Sequence, residues 1–141
     1  MTTDILYRSG LTVVIVALGL IAYGGWNWWQ LRRVSRTTAG QAPGLEGRRP
    51  GAAAVLYFTT DGCTVCRTVQ KPALEQVQAA LGDRVQVIEV NAAEQPAVAD
   101  HWGVLSVPTT FVIDPQGQPR SVNHGAANQA KLTRQLAAVV A

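Results

Sequence analysis

Residues 52–66 read Ala-Ala-Ala-Val-Leu-Tyr-Phe-Thr-Thr-Asp-Gly-Cys-Thr-Val-Cys, and this stretch decides the fold. Its first half, Ala52 to Thr59, is an unbroken apolar run carrying β-branched and aromatic side chains. That composition predicts a strand buried on both faces. Thr60-Asp61-Gly62 is a turn. Beyond Cys63, the residues Val69, Ala73, Val77 and Leu81 recur at fourfold spacing with Leu74 alongside, which predicts a helix that Gly82 is placed to end. Pro72 falls inside that helix and should kink it, because proline has no N–H to donate. The chain has only two cysteines, Cys63 and Cys66, and both sit where a buried strand gives way to a helix.

Downstream, Arg84 to Val90 alternates as a second strand, and Glu94 to Trp102 reads as a short helix. Thr109 to Ile113 is a third strand, Asp114-Pro-Gln-Gly117 a turn, and Arg120 to Asn123 a fourth strand paired antiparallel to the third. Ala127 to Val140 is amphipathic, with Leu132, Leu136, Val139 and Val140 on one side. The order β-α-β-α-β-β-α implies one parallel crossover pair and one antiparallel hairpin. This is an α/β domain over residues 52–141, a mixed four-stranded sheet flanked by helices.

The position of the cysteines has a chemical consequence. The first N–H groups of a helix have no intrahelical acceptor, and the helix dipole adds partial positive charge there. Both favour thiolate, the attacking species, at Cys63. One helical turn brings Cys66 close enough to close a disulfide. Cys63 is then suited to attack a disulfide and Cys66, the more buried of the two, to resolve the mixed product. The competing use of this spacing is metal binding, which needs four ligands for a structural zinc. Only His101 and His124 remain to complete such a set, and they are far apart in the chain, so no metal is expected. A purely structural disulfide across so short a loop would constrain the unfolded chain little.

A second motif, Ser106-Val-Pro-Thr-Thr110, follows some forty residues later, just before a strand. Together with the strand-then-CxxC it resembles the thioredoxin family. Val90-Asn91, Pro96, the phrase around Gly103 and Asp114-Pro-Gln-Gly117 extend the likeness, which covers the chain from about Ala52 onward. The resemblance implies a minimal thioredoxin-like fold and a thiol–disulfide oxidoreductase, with Cys63 as nucleophile and Cys66 as resolving thiol. It implies a cis-proline at Pro108, flanked by Val107 and Thr109 in a substrate-binding segment whose backbone pairs with a peptide. It implies no cofactor beyond the redox-active Cys63–Cys66 pair. The implied partners are protein disulfides or dithiols and an upstream electron donor. A thioredoxin-fold interaction module without turnover and a metal-handling protein are the alternatives.

The chain also departs from the family. Thioredoxin has Trp-Cys-Gly-Pro-Cys where this chain has Gly62-Cys-Thr-Val-Cys66. The family's buried aspartate aligns with Tyr57 and its nearby lysine with Glu89. Proton transfer at Cys66 then falls to water, Glu89 or the Tyr57 hydroxyl, with Glu89 the candidate relay and a solvated strand-end carboxylate the plainer reading. The helix proline comes one position later than in the family. The family's first strand and helix are not evident, because other segments occupy that place.

Those segments form the amino-terminal third. No charged side chain occurs from Ser9 to Leu31, a run long enough to cross a bilayer as one helix. Tyr23, Trp26, Trp28 and Trp29 crowd its end, followed by Arg32, Arg33 and Arg36, an aromatic and basic flank suited to lipid headgroups. Residues 1–34 thus read as a transmembrane anchor that is not cleaved, since bulky tryptophans stand where a signal peptide would have small residues. The net charge of +3 owes much to this flank and to Arg48 and Arg49, which argues for a membrane surface and against a nucleic-acid partner. The charge bias places the soluble domain in the cytoplasm, with an outward-facing domain as the alternative. Residues 35–51, rich in Thr, Gly, Pro and Arg, read as a linker or as a loop packed on the domain.

Overall fold

The computed structural model describes residues 2–35 and 42–140. The first part of the linker reading and Arg36 of the basic flank lie outside the described residues. The chain divides into two compact units, one ending at Gln30 and one from Leu31 onward. Helix α1 spans Thr2–Ser35. Within it, Arg8–Arg33 is a 26-residue stretch apolar enough to cross a membrane, its aliphatic side chains turned outward. At about 1.5 Å per residue it exceeds the roughly 30 Å hydrocarbon layer.

In the second unit, strands β1 (Ala53–Thr59), β2 (Val85–Asn91), β3 (Thr109–Ile113) and β4 (Pro119–His124) form one sheet in the order β2-β1-β3-β4. β1 runs parallel to β2 and antiparallel to β3, which pairs antiparallel with β4. Helices α2 (Lys71–Leu81), α3 (Pro96–Trp102) and α4 (Gln129–Val140) cover it. The twofold period of β1 explains why an unbroken apolar run is needed. Ala53, Val55 and Tyr57 enter one core cluster with Leu74, Val77, Leu132 and Leu136. Ala54, Leu56 and Phe58 enter the other with Trp102, Phe111 and Ile113. Both faces of the strand are therefore dry.

Residues 42–51 pack on the second face. Ala42 and Leu45 are buried in that cluster, and the Trp102 indole N–H donates to the Pro43 carbonyl at 2.7 Å. The Gln86 amide holds the segment at two points, accepting from Arg49 N–H and donating to the Gly47 carbonyl. Gly44 has φ +87°, and a Cβ there would meet Val98 at 3.0 Å, so the close turn suits glycine.

Pro72 produces a different distortion from the simple kink that its position suggests. Cys66–Gln70 forms a π turn in which the Lys71 N–H reaches back to the Cys66 carbonyl. Pro72, near the start of α2, has no N–H for the carbonyl four residues back and its ring crowds that oxygen. The wider turn takes in an extra residue without ending the helix. It also changes the buried face. Val69, expected beside Ala73 and Val77, is 47% exposed, whereas Cys66 and Gln70 are fully buried.

Candidate active site

Cys63 follows the turn that leaves β1, where its N–H donates to the Thr60 carbonyl. That turn is braced from both sides. Arg67 donates to the Asp61 carbonyl at 3.0 Å, and the Asn91 amide donates to the Asp61 carboxylate at 3.0 Å. Cys63 and Cys66 are joined by a disulfide with Cα atoms 5.2 Å apart. Cys63 is part-exposed, and Cys66 has no exposed surface. The Cys66 N–H donates to the Cys63 sulfur at 3.2 Å. A free N–H at the start of a helix is thus aimed at the sulfur on which negative charge would develop.

The peptide bond between Val107 and Pro108 is cis. Val107 packs, as Cys63 does, against the cluster that buries Cys66. Thr109 opens β3 and its hydroxyl donates to the Ser106 carbonyl at 2.7 Å. The structure therefore gathers Cys63, Cys66 and the 107–109 segment about one end of the sheet.

Tyr57 stands in register with Glu89 across the parallel pair. Its hydroxyl donates to the Cys66 carbonyl at 3.2 Å, so this carbonyl takes both the phenol and the π-turn N–H of Lys71. Burial pushes the Tyr57 phenol above its usual 10.0; the Thr59 hydroxyl opposes this and the Glu89 carboxylate adds to it. A cavity of about 300 Å³ opens here, lined by Tyr57, Cys66, Lys71, Glu89 and Asn91 among others. Glu89 itself is exposed at its rim. His101 lies against Trp102 and His124 is exposed on β4, where partial burial lowers its pKa. Among the described residues, no cluster of three or more His, Cys, Asp or Glu has a metal-binding arrangement.

One anchor of the site is not evident from spacing alone. Gln70 is fully buried, its Nε2 donating to the Ala127 carbonyl and its Oε1 accepting the Ala127 N–H. A polar residue one helical turn after Cys66 is the only sequence signal of this clamp.

The thioredoxin family model matches residues 49–138. The thioredoxin of Rhodospirillum rubrum is 36% identical over 75 residues, covering 53% of this chain and 70% of that protein. The thiol:disulfide interchange protein DsbD of Salmonella paratyphi A is 36% identical over 73 residues, covering 48% of this chain but only 13% of that larger protein. Among solved structures, thioredoxin-2, a component of the malaria parasite's protein secretion machinery, superposes with a TM-score of 0.58 at 20% identity, covering 62% of this chain and 82% of that one. This chain belongs to the thioredoxin family. With its Cys63–Cys66 disulfide, it is a thiol–disulfide oxidoreductase.

Proposed function

We propose that this protein is a membrane-anchored reductase of protein disulfides, held to the bilayer by α1 with its catalytic domain in the cytoplasm. The observation that carries the chemistry is the Cys66 N–H aimed at the Cys63 sulfur. In the reduced protein that donor favours a Cys63 thiolate. The thiolate attacks a substrate disulfide, forms a mixed disulfide and releases one substrate thiolate. Cys66, after losing its proton, attacks the Cys63 sulfur and releases the second substrate thiolate. Two electrons pass to the substrate and the Cys63–Cys66 disulfide re-forms, to be reduced by an upstream dithiol donor. Glu89, on the cavity that reaches Cys66, takes the resolving proton through water. Val107, Pro108 and Thr109 receive the substrate backbone. Arg32 and Arg33 after the apolar span support a cytoplasmic domain, and a reducing compartment favours the reductive direction.

The full-length Cys66→Ser variant tests this reading in cells. It should accumulate protein adducts through Cys63 that dithiothreitol releases, and the Cys63→Ser/Cys66→Ser double variant should form none. After reduction, a membrane-impermeant maleimide should label Cys63 only in permeabilised cells. Absence of adducts refutes the exchange mechanism. Labelling in intact cells refutes the cytoplasmic placement and its support for reduction.

A further inference from the structure

The sheet has two poles, and they differ in charge. At one pole β1 and β2 start side by side, with Ala53 opposite Val85. β3 ends there, with Ile113 opposite both Ala54 and Pro119. The disulfide and the 107–109 segment lie at the other pole, where β1 ends and β3 starts. Charge near the disulfide is balanced, since Arg67 and Lys71 share a cavity with Asp61 and Glu89. The far pole is rich in arginine. Arg49 and Arg84 line a groove of about 490 Å³, and Arg120 and Arg134 line a second of about 540 Å³. Arg48 reaches across from the segment before β1 to the Pro115 carbonyl.

The acids of this pole are engaged within the protein. Asp114 is buried, and it accepts from the Arg120 guanidinium at 2.6 Å and from the N–H groups of Gln116 and Gln118. Asp83 lies 3.4 Å from Arg49. The Glu46 carboxylate turns back to accept the Gly44 N–H. Arg49, Arg84, Arg120 and Arg134 are all exposed, so the surface they form is basic. A guanidinium is a planar, always-charged fork that matches the oxygens of a phosphate.

We infer that this arginine pole docks on the anionic phosphate headgroups of the bilayer that holds the chain, with the disulfide directed away from the lipid. The inference rests on the anchor reading above, because a tether keeps the pole beside a lipid surface. Residues 36–41 separate α1 from the segment that carries Arg48 and Arg49, and six residues reach at most about 22 Å. Attraction between exposed charges acts within about 8 Å at physiological salt, so a tethered basic surface meets headgroups before any diffusing polyanion. β1 has seven residues, and at about 3.3 Å each it lifts the disulfide roughly 23 Å from the docked pole. The reactive pair then faces protein disulfides in the aqueous phase.

The test is hydrogen exchange on the full chain in two sets of nanodiscs, one of phosphatidylcholine and one with a third of it replaced by phosphatidylglycerol. Backbone amides of residues 47–52, 82–84 and 115–118 should exchange about fivefold more slowly in the anionic discs. Salt at 1 M should erase the difference, because the screening length falls to about 3 Å. Arg84→Gln/Arg134→Gln should bring it to about twofold or less, while still exchanging a small aromatic disulfide at the wild-type rate. Equal exchange of wild type in the two discs overturns the inference. Slowing at residues 61–64 and 104–107 in place of the arginine pole overturns it as well. So does a difference that the double variant or 1 M salt leaves intact. Slowing by soluble polyglutamate, with none from anionic lipid, reassigns the pole to an acidic protein and overturns the docking. Alkaline carbonate that strips the full chain from liposomes overturns the anchor reading itself.

Discussion

The two faces of the sheet are built from alternate residues of the same strands, yet they are held by different forces. The face under α3 is aromatic. Phe58 and Phe111 meet edge to face at 6.0 Å, and Trp102 lies 4.8 Å from Phe111. Its indole N–H finds a carbonyl in the 42–51 segment. The face under α2 and α4 carries the disulfide and is threaded with polar bonds: Tyr57 to Cys66, Gln70 to Ala127, and an Asn123–Gln135 amide pair that also reaches Thr110. Apolar burial is non-directional, whereas a hydrogen bond fixes an angle. Both faces bury an apolar core, and the face that carries the disulfide adds buried side-chain hydrogen bonds that orient it.

Three substitutions separate these contributions. Phe111→Ala should cost about 3–5 kcal/mol, since it opens a cavity between two aromatic rings. Urea unfolding of the full chain in micelles measures it, and a loss below about 1 kcal/mol would break the comparison. Gln70→Leu removes both partners of a buried main-chain unit and should cost about 1–3 kcal/mol in the same assay. It should also slow reoxidation of the Cys63–Cys66 pair, which a stability effect alone would not do under native conditions.

Tyr57→Phe should cost about 1 kcal/mol at neutral pH, the worth of one hydrogen bond. Its pH dependence sharpens the contrast. The unfolded phenol ionises near 10.0, while in the folded protein burial, the largest cause, raises that value and Glu89 adds to the rise despite the opposing Thr59 hydroxyl. The folded state thus keeps a proton that the unfolded state gives up. Stability from this source is present below pH 10 and lost as pH rises above it. The gap between wild type and Tyr57→Phe should narrow above pH 10, and a gap independent of pH would contradict the assignment.

Much of this architecture is legible in the sequence, because β1, the CxxC and the Val107-Pro108-Thr109 phrase each encode a local pattern. The sheet follows from strand alternation and from the turns at Thr60–Gly62 and Asp114–Gly117. The parts that are not legible depend on distant partners or on an altered period. Leu45 is a single apolar residue in a segment without periodicity, and its burial depends on a sheet face built later in the chain. Arg48 secures the same segment by donating to the Pro115 carbonyl, 67 positions away. Gln70 meets Ala127 across 57 positions. Val69 leaves the buried face for a different reason: a fourfold spacing presumes 3.6 residues per turn, and the π turn departs from that number.

That turn has a consequence for how the molecule accommodates changes in length. One residue added to an α-helix rotates everything beyond it by about 100°. Here Pro72 stands at the start of α2 directly after the π turn, and Ala73, Leu74 and Val77 lie in the core with the sheet. The π turn takes in one extra residue within a single loop of backbone before α2 begins. It acts as a phase corrector between the reactive end of the helix and its core-facing remainder. The backbone that carries the disulfide is thereby set apart from the helical residues that fill the core.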